Sequence, residues 1–438
     1  MLVPHCMSGQ TVGVLGLGRS GMAAAASLDA AGVTIFAHDD NEPDIHLANG
    51  TVMAWHAWPW KDLDALVISP GIPHLHPAPH PAAARAASAN IEILSEVEVA
   101  LRAVPQAPIV VITGTNGKST TTALVGHCLQ KAGMSVAVGG NIGQAACLLD
   151  DPGPDGVIVL ELSSYQLETT PALSPTIAVI LNITPDHLDR HDGMAGYVAA
   201  KTRALSALRA GGTAILGQSD DQVKQLAHKC KDQGIRTLLA IPDQAPASHK
   251  HCLALRGEHN AENAAAAGLV LHCLGLDVDQ INHGMVSFIG LPHRLQTVAT
   301  MGPIAFVNDS KATNGTAAAK AIKAFSNIYW IAGGLAKDDG LDAVMPHIGN
   351  VEKAYLIGSS AIAFAEALQG HCHAEIFDNL HDATHAAFDD AKENDNGGTI
   401  LLAPAAASFD QFDSFGARGD AFCQLARKLC SQKGGAYA

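Results

Sequence analysis

Short apolar runs alternate with longer alanine-rich segments along most of the chain, in the rhythm of strand, helix, strand. TVGVLGLG leads into RSGMAAAASLDAAG and then VTIFAHDD, which predicts a strand, a tight turn, a helix stopped by Gly32 and a second strand ending near Asp39. The pattern continues through DALVISPGIP to about Glu96, with a proline- and histidine-rich loop over Ile72 to Pro81. The tryptophans of WHAWPW read as local packing. A second block holds the strand APIVVI, the loop TGTNGKS and the helix TTTALVGHCLQKAG. The strands GVIVLEL, TIAVILNIT and GGTAILG follow, then an alanine-rich helix after LRGEHNAEN. A seam falls near GLPHR, and a third block runs through GPIAFVNDSKATN, NIYWIAGGLAKDDG, VEKAYLIGSS and GTILLAPAAASFDQF to a helix from about Ala417. Strands that are continuous apolar runs are buried on both faces, so the expected class is α/β, with parallel sheets covered by helices. The three blocks predict domains over residues 1–96, 97–290 and 291–438.

Composition narrows the picture. With 48% hydrophobic and 16% charged residues the chain has the makings of packed cores rather than disorder. A formal charge of −15 and the lack of a basic patch argue against a nucleic-acid partner, so an anionic ligand would have to be met by local donors. Nine cysteines, an odd number with no C-x-x-C pair, suit a reducing compartment. No apolar run approaches the ~18 residues of a membrane span, and no basic segment precedes the first strand, so a cytoplasmic location without membrane insertion is expected.

Two glycine loops carry candidate chemistry. In TGTNGKS, Gly114 and Gly117 let backbone N–H groups approach an anion at a helix N-terminus, Lys118 adds a point charge, and the Ser119 hydroxyl suits Mg²⁺. The usual spacing G-x-x-x-x-G-K-[ST] would need a glycine where Ile112 stands, so the residues alone leave a phosphate loop and a plain strand-to-helix turn both open. In the first block, Gly16, Gly18 and Gly21 with Asp39 fit a dinucleotide fingerprint, another nucleotide site or mere architecture. An oxidoreductase built on that fingerprint would leave the second block without a purpose. Glu161 ends a buried strand and is a natural Mg²⁺ ligand, while Asp186, His187, Asp189, Arg190, His191 and Asp192 crowd one turn. HCH at 371–373 lacks a partner cluster and reads as structural. Lys201 looks like an ordinary helix-face lysine.

Taken together and in order, TGTNGKST, GGNIG, ELSSYQLE, NITPDHLDRH, YVAAK, GEHNAEN, LPHR and NDSKATN resemble the Mur ligase family, ATP-dependent amide-forming enzymes of peptidoglycan precursor synthesis. The family's loop is the short form G-T-N-G-K-[ST], which accounts for Ile112. The resemblance implies a Rossmann-like N-terminal domain for a UDP-sugar, a central P-loop ATPase-type domain and a Rossmann-like C-terminal domain that brings the amino acid. LLAPAAASFDQF with GGLAKDDG is similar to the branch that adds D-glutamate, and folylpolyglutamate synthases, which share the central motifs, lack the first domain.

Carried over where motifs match, the resemblance assigns ATP to Gly114, Thr115, Asn116, Gly117, Lys118, Ser119, Thr120, Asn260, Asn263, Arg294 and Asp309. It implies one Mg²⁺ on Ser119 and Glu161, and a second on His187 and Lys201, the lysine carried as a carbamate. Gly18, Arg19, Ser20, Asp39, Ser69, Gly71 and Asn141 would meet UDP-MurNAc-L-alanine; Lys311, Thr313, Lys337, Ser408 and Phe415 would meet D-glutamate. The implied reaction passes through an acyl phosphate with Lys118, His187 and Lys201 at its centre, on a monomeric protein. For the proton lost by the amine, His187 and a nearby carboxylate both stay open as the base.

Overall fold

The computed structural model describes residues 1–41, 47, 49–255, 257–336, 340–431 and 436–437. They form two compact units, Met1–His249 with Glu258–Val286, and Lys250–Gly257 with Ser287–Ala438. The first unit contains two sheets and the second a third with a small two-stranded ribbon, which is the α/β class the apolar runs predict.

The first sheet comprises β1 (Thr11–Leu15), β2 (Thr34–His38), β3 (Gly50–Val52), β4 (Ala65–Ile68) and β5 (Glu92–Leu94), with helices α1 (Arg19–Ala30), α2 (Pro81–Ser88) and α3 (Glu96–Leu101). Its order is β3-β2-β1-β4-β5 and every pairing is parallel, the Rossmann arrangement, which reverses direction between β1 and β4. The glycine loop after β1 meets the loop after β4 there, where Ser69 Oγ donates to the Gly16 carbonyl at 3.0 Å. Gly21 allows that closeness, since a Cβ on it would stand 1.8 Å from Gly16 O. Trp58 and Trp60 stack at 5.7 Å beside this sheet as packing groups.

The second sheet comprises β6 (Ile109–Thr113), β7 (Val136–Gly140), β8 (Val157–Glu161), β9 (Ile177–Ile180), β10 (Thr213–Gly217) and β11 (Arg236–Ala240). Helices α4 (Lys118–Lys131), α5 (Ser164–Glu168), α6 (Met194–Ser206), α7 (Asp221–Asp232), α8 (Glu258–Cys273) and α9 (Val278–Val286) accompany it. The order β11-β10-β9-β6-β8-β7 is parallel throughout, and it sets the carboxyl ends of β8 and β9 on either side of β6. Every residue of β8, β9 and β10 is buried. One apolar core joins the two sheets: Leu28 of α1, Val97 of α3 and Leu160 of β8 belong to it.

The second unit holds β12 (Gln296–Met301), β13 (Ile304–Asn308), α10 (Gly315–Lys323), β14 (Ile328–Gly333), β15 (Leu335–Ala336), β16 (Val351–Ile357), α11 (Ala361–Leu368), β17 (His373–Ile376), α12 (Leu380–Glu393), β18 (Gly398–Leu402), β19 (Ala406–Ala407), α13 (Phe415–Ser431) and β20 (Ala436–Tyr437). Its main sheet runs β17-β16-β14-β18-β13-β12-β20. The five strands from β17 to β13 are parallel, but β12 pairs antiparallel with β13 and β20, so an all-parallel expectation needs correcting at one edge. A two-stranded ribbon, β15 with β19, stands apart. All nine cysteines are free, and no helix among the described residues is long and apolar enough to cross a membrane.

Candidate active site

Three strand ends of the second sheet deliver the site. After β6 the chain turns through Gly114, with φ +149°, and Gly117, with φ +84°, before α4 begins at Lys118. The loop is pinned to the segment after β9: Thr115 N–H donates to Asn182 O at 2.8 Å and Asn116 N–H to Asn182 Oδ1 at 2.8 Å. Asn182 Nδ2 returns a bond to Asn116 O at 3.1 Å. The amides of Thr115 and Asn116 are thereby engaged, and α4 begins just beyond them with Lys118, Ser119 and Thr120. On α8, Asn263 Nδ2 donates to Asn260 Oδ1 at 3.0 Å, and both residues are buried.

Two lysines converge on one carbonyl of this loop. Lys118 Nζ donates to Gly114 O and Thr115 O, each at 2.9 Å, and Lys201 Nζ of α6 donates to Gly114 O at 2.9 Å. Lys201 is only 1% exposed and its ammonium lies 4.6 Å from the centre of the Tyr197 ring. Burial first, and then the charge of Lys118, push its pKa down to about 7.

Glu161 at the end of β8 is buried, and its Oε1 accepts from Asn141 Nδ2 at 2.9 Å while its Oε2 has no hydrogen-bond partner. Such an orphaned carboxylate oxygen is costly unless a cation meets it. His187, with φ +52°, is held 3.6 Å from the Asp186 carboxylate and 5.5 Å from the Tyr165 ring. A cavity of about 300 Å³ is lined by Gly71, Lys118, Asn141, Asp186, His187 and Lys201. Gly71 reaches it from the first sheet, where its carbonyl accepts from Arg190 Nη1 at 3.1 Å.

The other first-sheet candidates sit at the carboxyl ends of their strands. Asp39 accepts from Leu17 N–H at 2.7 Å and from Asn41 N–H at 2.9 Å, bonds that hold its carboxyl below the usual range and tie it to the glycine loop. Arg19 Nη1 donates to Gly143 O at 3.1 Å, so α1 touches the GGNIG loop that carries Asn141. Gly18 is the N-cap of that helix and Ser20 lies in its first turn.

In the second unit, Lys311 Nζ lies 4.3 Å from the centre of the Phe415 ring, and Ser408 Oγ is buried without a hydrogen-bond partner. Thr313 N–H donates to Lys311 O at 2.8 Å. Asp309 accepts from Leu295 N–H at 3.1 Å; protein crowds its carboxyl group and pushes its pKa up to about 7, with Arg294 near enough to pull against that rise. Lys337 lies outside the described residues.

Residues 112–251 match the profile of the Mur ligase middle domain, and residues 293–406 that of the Mur ligase glutamate ligase domain. A UDP-N-acetylmuramoylalanine–D-glutamate ligase of Mesorhizobium japonicum is 40% identical across 98% of this chain and 98% of its own length. The chain belongs to the Mur ligase family. A ligase of the same name from a Caulobacter species is 41% identical over 96% of this chain and 97% of its own. The fold of this Mur ligase also resembles solved structures from Thermotoga maritima. A UDP-N-acetylmuramate-alanine ligase has TM-score 0.59 and 14% identity over 96% of this chain and 99% of its own. A MurF ligase in complex with ADP has TM-score 0.59 and 15% identity over 99% and 98%.

Several residues of the Mur ligase site had no role assigned from the sequence, although some lie within the motifs quoted for the family. Asn182 staples the phosphate loop, Tyr197 packs its ring under Lys201 and meets Thr115 Oγ1 at 3.1 Å, and Arg190 lies over Tyr165 at 4.5 Å. Arg418, buried in α13, donates to Ser310 Oγ, Ser310 O, Gly333 O and Ala406 O and so ties the segment after β13 to the end of β14 and to β19. A buried arginine of that kind resembles any surface helix arginine until the helix is placed.

Proposed function

We propose that this chain is an ATP-dependent ligase that joins the amino group of D-glutamate to the carboxyl group of UDP-N-acetylmuramoyl-L-alanine, a step of peptidoglycan precursor synthesis, releasing ADP and phosphate. The observation that carries the reading is the one cavity into which four different segments bring Lys118, Asn141, His187 and Lys201. In support, relatives about 40% identical over nearly the whole chain are named for that reaction. On this reading the three sheets are three domains, residues 1–96, 97–290 and 291–438, and the protein works as a monomer in the cytoplasm.

The first step brings two anions together, the substrate carboxylate and the γ-phosphate of ATP. Lys118 and the N–H groups of the first turn of α4 lower that repulsion and align the phosphates for in-line attack. Asn141, which donates to Glu161 and lines the cavity, is assigned to the substrate side of the site. The acyl phosphate so formed is open to the amine, whose dicarboxylate side chain and α-carboxylate are assigned to Lys311, Thr313, Lys337, Ser408 and Phe415. Gly18, Arg19, Ser20, Asp39, Ser69 and Gly71 are assigned to the uridine and diphosphate.

The residues present suit Mg²⁺. Among the described residues no three His, Cys, Asp or Glu side chains are grouped so as to hold a metal ion by themselves, while Glu161 Oε2 is buried without a partner. That pattern fits an ion commonly held by one or two carboxylates together with substrate phosphates. Ser119 and Glu161 would hold one ion; His187 and a carbamate on Lys201 would hold a second. When bound, the ions neutralise phosphate charge as Lewis acids. A lysine with its pKa near 7 is substantially neutral at physiological pH, the form that reacts with CO₂.

Replacing Lys118 by alanine tests the reading, because the side chain makes no contribution to the apolar core. Phosphate release in the presence of all three substrates should fall by ~10³-fold or more while the unfolding midpoint moves little. Near-normal amide formation by Lys118→Ala would refute the mechanism.

A further inference from the structure

A second hydrogen-bonded chain reaches the same cavity. Ser164, the first residue of α5, lines that cavity with Lys118, Asn141, His187 and Lys201. Its Oγ lies 2.9 Å from His191 Nε2, and His191 Nδ1 lies 3.0 Å from Glu168 Oε1. His191 is 3% exposed, its ring stacked on Tyr165 at 5.2 Å and 13° and flanked by Tyr197 at 5.3 Å. A carboxylate only accepts, so Nδ1 carries the ring proton and Nε2 is the acceptor. Ser164 therefore donates its hydroxyl proton to His191, and the lone pairs of Oγ are what remains for the cavity. A group so placed can receive an N–H.

We propose that Ser164, acting through His191 and Glu168, takes the proton that the amino group surrenders as it attacks the acyl phosphate. The inference rests on the ligase reading above. As the C–N bond forms, the bond from the carbonyl carbon to the phosphate oxygen breaks and phosphate leaves with that electron pair. An N–H bond of the amine breaks and an O–H bond forms on Ser164, while the original Ser164 proton moves to His191 Nε2. The resulting imidazolium is held by Glu168, and its proton returns to cavity water through Ser164 once the product has gone. His187 is poorly suited to the same task if its lone pair serves a metal ion.

The surroundings support the assignment. Burial holds His191 below the ordinary histidine value in spite of Glu168, so the ring is ready to accept near pH 7. The other titratable or charged groups that face it are Lys201 from α6, Arg190 from its own turn, the phenols of Tyr165 and Tyr197, and His74, whose Nε2 is 3.9 Å from Glu168 Oε2. Ser164 is the catalytic residue here; His191 and Glu168 are positioning residues.

The two half-reactions separate the roles. Acyl phosphate made from UDP-N-acetylmuramoyl-L-alanine and ATP without D-glutamate is trapped by borohydride; amide formation is followed with D-glutamate present. Ser164→Ala and His191→Gln should trap acyl phosphate as the native enzyme does, yet form amide about 100-fold more slowly. Ser164→Thr should restore most of the rate. In His191→Gln the acid limb of the kcat profile, which for a histidine held below its ordinary value lies on the acid side of the usual histidine range, should vanish, because that limb reports protonation of His191. Amide formation within threefold of native in both variants overturns the relay, as does an equal loss of trapping and amide formation, which a purely structural role would give. Failure of the native enzyme to form acyl phosphate would instead bring down the ligase reading and the relay with it.

Discussion

Lys201 is the residue whose chemistry the fold alters most. An ordinary lysine is neutral in fewer than ~1 in 10³ molecules at pH 7, whereas Lys201, its pKa pushed down to about 7, is neutral in a substantial share of them. If the neutral amine is carried as a carbamate, activity in CO₂-free buffer should fall severalfold and return on adding bicarbonate. The dependence should grow steeper from pH 8 to pH 6, because protonation below the shifted pKa removes the reactive amine. A rate indifferent to bicarbonate at every pH would contradict the carbamate. In the sequence Lys201 has nothing to mark it, since YVAAK is an unremarkable helix turn and its burial arises only when α6 packs over the phosphate loop; the family resemblance alone singled it out. The place of Glu161 was legible directly, because it ends a run of apolar residues that reads as a buried strand. His191 was visible only as one of several polar residues in a crowded turn, and its partners Ser164 and Glu168 lie 27 and 23 residues away.

At the scale of elements, the strand–loop–helix unit from β6 through α4 works because α8 braces it. A Cβ on Gly117 would stand 2.2 Å from Asn263 Oδ1, at a backbone φ of +84° that L-residues avoid. Gly117→Ala should therefore lower stability by about 1–2 kcal/mol and weaken ATP binding at least tenfold, measurable by denaturant unfolding and nucleotide titration. Unchanged ATP affinity would show that the loop adapts without α8. The central elements were readable from apolar runs because parallel strands are buried on both faces. The third sheet's edge was harder: β12 has a mixed burial pattern and the short strands β15 and β19 bear no periodicity long enough to register.

Across the whole molecule, three sheets each present loops at the carboxyl ends of their strands, the place where open α/β sheets bind ligands. The first two share a core and bring Gly71 and the phosphate loop to one cavity, an association that periodicity along the chain does not reveal. The sequence separated the blocks near Glu96 and near GLPHR, whereas the compact units divide at residues 249/250 and 286/287 with Lys250–Gly257 grouped with the later segment. Such a grouping depends on long-range packing and has no local signature. Amino-acid choice belongs to this scale as well, since Lys311 and Ser408, the groups proposed to meet D-glutamate, come from segments far apart in the chain. Phosphate release with UDP-N-acetylmuramoyl-L-alanine and ATP, measured across D-glutamate, L-glutamate, L-lysine and diaminopimelate, tests the assignment most directly. Release with D-glutamate at least 100-fold above the others is the expected result; release only with the L-amino acids would contradict it.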